Sequence, residues 1–230
     1  MRIITVASTK GGAGKTTLAA HLAVEAERTG AGPVAIVDTD PQGSLTAWWN
    51  TREAPTPLFA AVEIARIAEH LSLLQEHGIE VVMIDTPPAL SDTIRSAVAV
   101  ADLVIIPARP SPHDLRAVAT VVDMAEQIGK QFCFVINGAI PRSTIASDAL
   151  RALAQHGKVA PTTIHHRIDF AASMIDGRTV GELALQSRSA SEITALWNYV
   201  DTQLQKSVRS RAHGQTKNRP ARRRSDSPQR

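Results

Sequence analysis

The 230-residue sequence predicts an α/β fold, a doubly wound and mostly parallel sheet with helices on both faces. Three observations carry that expectation. Runs that are apolar throughout, as strands buried on both faces are, alternate with segments of helical spacing. The first of these runs leads straight into a glycine-rich turn, Thr9-Lys10-Gly11-Gly12-Ala13-Gly14-Lys15-Thr16-Thr17. Two later runs end on aspartate, at Asp38 and Asp85, and ligands of such folds sit at the C-terminal ends of strands.

In chain order, Arg2-Ile3-Ile4-Thr5-Val6-Ala7 is the first strand, and Leu18, Ala19, Leu22, Ala23 and Ala26 recur at helical spacing behind the turn. Thr29-Gly30-Ala31-Gly32-Pro33 stops that helix and leads into a second buried strand, Val34-Ala35-Ile36-Val37. Residues 57–62 have the make-up of a short strand. Ile64, Ile67, Ala68, Leu71 and Leu74 then mark a helix face that stops at Gly78, and residues 79–84 are the next apolar run. Residues 102–107 and 131–137 read as strong strands, with helices near 91–100 and 112–128. Past Pro141, residues 144–156 read as helix and 158–164 as a strand. Residues 187–204 read as the last helix, with Ile193, Leu196, Trp197, Val200 and Leu204 on its apolar face. Connections in such a sheet are right-handed.

The glycine-rich turn points to phosphate. Gly11, Gly12 and Gly14 permit backbone angles closed to other residues, so consecutive N–H groups can turn inward around an anion. The helix that follows adds unpaired N–H donors and the positive end of its dipole. Lys15 is placed to reach the β- and γ-phosphates, and the Thr16 hydroxyl to ligate Mg²⁺. The general phosphate-loop pattern has a glycine where this chain has Thr9. The chain instead matches a deviant form, Lys-Gly-Gly-x-Gly-Lys-Thr, in which Lys10 adds a second cation at the mouth of the loop.

On these residues the chain resembles the ParA/MinD family of deviant-Walker ATPases, most of all the small plasmid-partition ParA proteins. The resemblance spans about residues 1–205 and rests on residues 10–17, on Asp38-Thr39-Asp40-Pro41-Gln42-Gly43-Ser44 and on Asp85-Thr86-Pro87-Pro88. It implies ATP and Mg²⁺ as ligands, held by residues 10–17 (Lys10, Gly11, Gly12, Ala13, Gly14, Lys15, Thr16, Thr17), with Thr16, Asp38 and Asp85 around the metal. It implies that Asp40 positions the attacking water and that Lys10 crosses a homodimer interface to the partner's ATP. Phosphoryl transfer needs mainly positioning and charge stabilisation, so this set suffices for slow hydrolysis that a partner accelerates. Leu103-Val104-Ile105-Ile106-Pro107-Ala108-Arg109-Pro110-Ser111-Pro112 is similar to a family stretch near the dimer interface, and equally reads as a rigid exit from the core. Residues 137–142 stand where the family forms its adenine pocket.

The function this implies is partition of plasmid or chromosomal DNA. An ATP-bound dimer coats DNA nonspecifically, and a ParB-like adaptor triggers hydrolysis. The alternatives are a positioning ATPase for a protein cargo and a MinD-like cell-division regulator. ATP-dependent metabolic enzymes of the same fold usually lack the lysine at position 10. Arg167, in a late segment similar to the family's DNA surface, is the expected DNA contact in the folded part.

Bulk properties narrow the field. Of 25 Lys and Arg and 22 Asp and Glu, nine basic residues and one acid fall in residues 206–230, which leaves residues 1–205 mildly acidic and makes the end strongly basic. The expected organisation is therefore one ATPase domain, 1–205, and a basic tail without fixed structure, 206–230, whose Arg222, Arg223 and Arg224 either bind DNA phosphates or are merely solvated. The tail lacks the apolar face of a membrane-targeting helix, so no membrane partner is expected. Cys133 is a lone cysteine inside an apolar run, too few thiols for an iron–sulfur site within the chain. No apolar segment is long enough to span a bilayer, and the expected location is cytoplasmic and nucleoid-associated.

Overall fold

The computed structural model describes residues 1–217. The chain begins with β1 (Arg2–Val6), α1 (Lys15–Arg28), β2 (Val34–Asp38), α2 (Ser44–Asn50) and β3 (Leu58–Phe59). A 3₁₀ turn (Ile64–Arg66) then leads into α3 (Ile67–Glu76), β4 (Val81–Asp85), α4 (Asp92–Val100), β5 (Leu103–Ala108) and α5 (Pro112–Ile128). The remainder is β6 (Phe132–Ala139), α6 (Ile145–Leu153), β7 (Ile164–His165), α7 (Ile168–Met174), α8 (Val180–Leu183) and α9 (Arg188–Lys217).

The strands form one seven-stranded sheet in the order β3-β2-β4-β1-β5-β6-β7. Every pairing is parallel, so the sheet is parallel throughout. The chain starts in the middle and builds outward to both sides, which makes the C-terminal end of β1 a topological switch point. The glycine-rich turn leaves the sheet there.

Alternation along each strand divides the core. Ile4, Val6, Ile36, Met83 and Ile105 pack in one cluster with Leu18 and Leu22 of α1 and Leu196, Trp197 and Val200 of α9. Val104, Ile106, Phe134 and Ile136 pack with α4, α5 and α6, while Val37, Val82 and Ile84 pack with Ile67 and Leu71 of α3. Helices therefore cover both faces, as the unbroken apolar strands require.

Three short helices, α2, α7 and α8, have no clear signal in the sequence. At seven residues or fewer they span at most two turns, too little for a helical period to register. Tertiary contacts hold them: the Trp48 indole N–H donates to the Arg178 carbonyl at 3.3 Å, and Arg52 makes a bidentate pair with Glu182 at 3.0 and 2.6 Å.

Two expectations need correction. The strand expected at 158–164 is reduced to β7 and an isolated bridge between Phe134 and Val159, because it lies at the sheet edge with a partner on one side only. The last helix does not stop at Leu204; α9 runs to Lys217, through the boundary expected at residue 205 and into the segment expected to lack structure. Once Ile193, Leu196, Trp197, Val200 and Leu204 bury one face, each further residue adds a hydrogen bond without new nucleation, and no proline follows before Pro220. Arg222, Arg223 and Arg224 lie outside the described residues.

Candidate phosphate-binding site

The turn between β1 and α1 is a cradle for an anion. Gly14 is the N-cap of α1 with φ +90°, and no side chain caps the helix, so its first N–H groups face the site. Gly12 has φ +72°. The Asn137 amide, from β6, donates to the Ala13 carbonyl at 2.7 Å and closes the cradle from the far side. A β-carbon built on Gly14 would stand 2.1 Å from Asn137 Nδ2, so position 14 has neither the angle nor the room for a side chain.

A cavity of about 470 Å³ opens over this turn, lined by Gly11, Gly12, Gly14, Lys15, Thr16, Thr17, Asp40, Gln42, Ser44, Pro88 and Met174. Its charge is organised around Lys15 and Asp85. Lys15 is buried, and burial lowers its pKa against the pull of Asp85 and Asp40. Asp85 is fully buried at the end of β4, and its carboxyl is pushed up to about 7, first by burial and then by Asp38, with Thr16 and Lys15 opposing. The Thr16 hydroxyl donates to Asp85 Oδ2 at 2.5 Å. A hydroxyl and a buried carboxylate side by side, with a second carboxylate in register across β2 and β4, form a hard-oxygen donor set that fits Mg²⁺.

Asp38 has a further task. Its Oδ2 accepts from both the N–H and the hydroxyl of Thr46, each at 2.8 Å, and its Oδ1 accepts from the Asp40 N–H at 3.1 Å. Gly43 offers α2 no side-chain cap, and Asp38 supplies one from the neighbouring strand end. Asp40 accepts from the Gln42 N–H at 3.0 Å and borders the cavity, where a carboxylate can orient a water.

Lys10 lies apart from this group. Its ammonium pairs with Asp114 Oδ2 at 3.0 Å on the first turn of α5, and its side chain is not among those lining the cavity. Asp114 also accepts from the Ser111 hydroxyl, the N-cap of α5. Sequence reading missed Asp114; it placed Ser111 in a stretch similar to one near the family's dimer interface and Asn137 where the family forms its adenine pocket, and gave neither of them these contacts. Ser111-Pro112-His113-Asp114 has the spacing of a helix start, but nothing local says that its acid meets a lysine 104 residues away.

Arg167, the expected DNA contact, is turned inward. It pairs with Glu192 of α9 at 2.7 Å, and the same carboxylate holds the His165 ring at 2.8 Å. Its Nε is buried without a hydrogen-bond partner. In this arrangement its charge is already matched by a carboxylate.

The α1 helix, whose N-terminus faces the site, is anchored internally by His21. The His21 Nδ1–H donates to the Thr17 carbonyl at 2.8 Å, Nε2 faces the Ser173 hydroxyl of α7 at 3.4 Å, and the ring stands edge-on to Phe170. Burial pushes its pKa down to about 4, against the Thr17 hydrogen bond and Glu182.

Known proteins share the fold. The family model for the CobQ/CobB/MinD/ParA nucleotide-binding domain matches residues 4–180. The chain is 31% identical over 209 residues to the maintenance of carboxysome distribution protein A of Halothiobacillus neapolitanus, covering 86% of this chain and 95% of that protein. It is 37% identical over 116 residues to the protein ParA of Rhizobium radiobacter, about half of each chain. Among solved structures, the septum site-determining protein MinD of Pyrococcus horikoshii, in complex with Mg-ADP, superposes with a TM-score of 0.74 at 19% identity, over 90% of this chain and 98% of that one.

Proposed function

Because the chain belongs to the CobQ/CobB/MinD/ParA nucleotide-binding family, we propose that it is a ParA-type ATPase whose ATP-bound form is a face-to-face homodimer. The observation that carries this reading is the separation of the two lysines: Lys15 is buried in the cradle, while Lys10 stands outside it on Asp114. A cation that does not serve its own cavity is free to serve another. In this reading Lys15 and the backbone of residues 11–17 bind the phosphates, and Thr16 and Asp85 hold Mg²⁺, with Asp38 behind them. The metal, when bound, neutralises charge developing on the transferred phosphoryl group. Asp40 orients the attacking water, and Lys10 exchanges Asp114 for the phosphates of the partner's ATP.

The dimer binds DNA nonspecifically, and a ParB-like adaptor on a plasmid or chromosome stimulates hydrolysis and release. A protein cargo is the second reading. It is favoured by the fact that the relative matched over nearly its whole length is a carboxysome-distribution protein.

Light scattering of the full chain with ADP and with ATP, repeated on Lys10→Ala, tests the dimer. A dimer with ATP alone that is lost in Lys10→Ala is expected; a wild-type chain that stays monomeric with ATP removes the reading. Mobility shifts on nonspecific duplex DNA over a salt series, with and without residues 218–230, test the DNA role. Indistinguishable salt slopes would take Arg222, Arg223 and Arg224 out of it.

A further inference from the structure

Arg109 is the first residue after β5 and is exposed. Arginines such as Arg28, Arg52 and Arg167 are matched by carboxylates. The Arg109 side chain has no ion pair or hydrogen bond among the described residues, yet it lies against the backbone of the fold. A β-carbon built on Gly12 would stand 3.6 Å from its Nη2, and one on Gly138 would stand 3.7 Å from its Nε. Both glycines have positive φ, +72° and +66°. The side chain therefore lies across two stretches of backbone that carry no side chains, with its guanidinium over the glycine-rich turn. Holding a long side chain in this way sacrifices rotamer freedom, with no charged or hydrogen-bonding partner among the described residues to offset the loss.

Arg109 is not among the residues lining the chain's own phosphate cavity, although Gly12, against which it rests, is. Lys10 is also outside that lining and is held by Asp114, five residues beyond Arg109 on the helix that Arg109 leads into. Two cations thus flank the outer side of the loop. One is neutralised by a carboxylate and the other is unpaired. A guanidinium offers a planar fork of donors that matches phosphate oxygens two at a time.

We propose that Arg109 is a second cation that the chain delivers, together with Lys10, to the phosphates of the nucleotide bound by a second copy. This rests on the dimer reading above. Arg109 rests against Gly12 without lining the chain's own cavity, and in this proposal the anion it serves comes from the second copy. The arginine also differs from Lys10 in that no carboxylate of the described residues holds it.

The test is a dimerisation titration by analytical ultracentrifugation with a slowly hydrolysed ATP analogue, on wild type, Arg109→Ala, Arg109→Lys and Lys10→Ala, alongside ADP affinity of the monomers. Arg109→Ala is expected to weaken ATP-dependent dimerisation about tenfold, the scale of one charge-assisted contact, with ADP affinity within about twofold of wild type. Arg109→Lys is expected to restore part of the loss. Arg109→Ala dimerising as wild type does would overturn the proposal. An ADP affinity that falls as far as dimerisation would also overturn it, by assigning the arginine to its own nucleotide. Failure of the dimer reading looks different: wild type then stays monomeric with ATP. A dimer lost in Lys10→Ala and intact in Arg109→Ala keeps that reading and removes this one.

Discussion

The Lys10 ammonium lies 3.0 Å from Asp114, a carboxylate with 8% side-chain exposure that also takes the hydrogen bond of its own helix cap, Ser111. The pair ties the glycine-rich turn to the start of α5. The lysine side chain is 39% exposed, so solvent screening keeps the pair weak enough to exchange.

Asp114→Asn removes the charge and keeps the shape. If Asp114 competes with nucleotide phosphate for Lys10, the variant forms its ATP-dependent dimer about two- to fivefold more tightly, corresponding to an exposed ion pair of up to roughly 1 kcal/mol. Light scattering against protein concentration reads this directly. A weaker dimer would mean that Asp114 presents the lysine instead of withholding it.

Lys15→Ala and Asp40→Ala separate binding from chemistry. Lys15 stands among Asp85 and Asp40, so its loss leaves the cradle without its buried cation. ADP affinity, read by a fluorescent analogue, is expected to fall by about a hundredfold, the cost of a buried charged contact. Asp40→Ala is expected to keep nucleotide affinity within about threefold while phosphate release drops by about two orders of magnitude. Normal hydrolysis by that variant would exclude Asp40 as the water-orienting group.

Gly14→Ala meets two obstacles, the φ of +90° and the Asn137 amide. A loss of about 2–4 kcal/mol in urea unfolding is expected. Asn137→Gly in the same chain removes the clash but not the backbone strain, so only part of the loss returns. Full recovery would show that the angle at residue 14 costs nothing.

His21 contributes a pH dependence to stability. Its folded pKa, about 4, lies below the ordinary 6.5, so between these values the unfolded chain binds the extra proton. The His21 contribution is therefore complete above about pH 6.5 and lost progressively as pH falls towards 4, by about 2 kcal/mol between pH 7.5 and 5. Asp85, raised to about 7, acts in the opposite sense over the same range. His21→Leu, which cannot take up the proton, is expected to flatten this part of the urea-unfolding profile. An unchanged acid limb would place the pH dependence elsewhere.

The alternation of strands and helices was legible in the sequence because buried parallel strands are apolar on both faces and long helices repeat their pattern several times. Val34-Ala35-Ile36-Val37 and the face of α9 from Ile193 to Leu204 show both signals, and all these residues are buried. The short helices α2, α7 and α8 gave no such repetition, and the extent of α9 beyond Leu204 follows from a helix already anchored by its neighbours. Arg167 read as a free basic residue because its counter-charge, Glu192, lies 25 residues away on another helix.

What the sequence determined by itself is the glycine-rich turn. Gly12, Gly14, Lys15 and Thr16 are contiguous, and the strand before them and the helix after them set their geometry locally. The tertiary structure alone decided what each charge faces: Lys10 on Asp114, Arg109 across Gly12 and Gly138, Asp38 on Thr46, Asn137 on Ala13. Three of these contacts join residues about a hundred or more positions apart along the chain. Such residues meet because the order of the parallel strands brings the ends of β1, β5 and β6 together at one rim of the sheet, and no local pattern encodes that order.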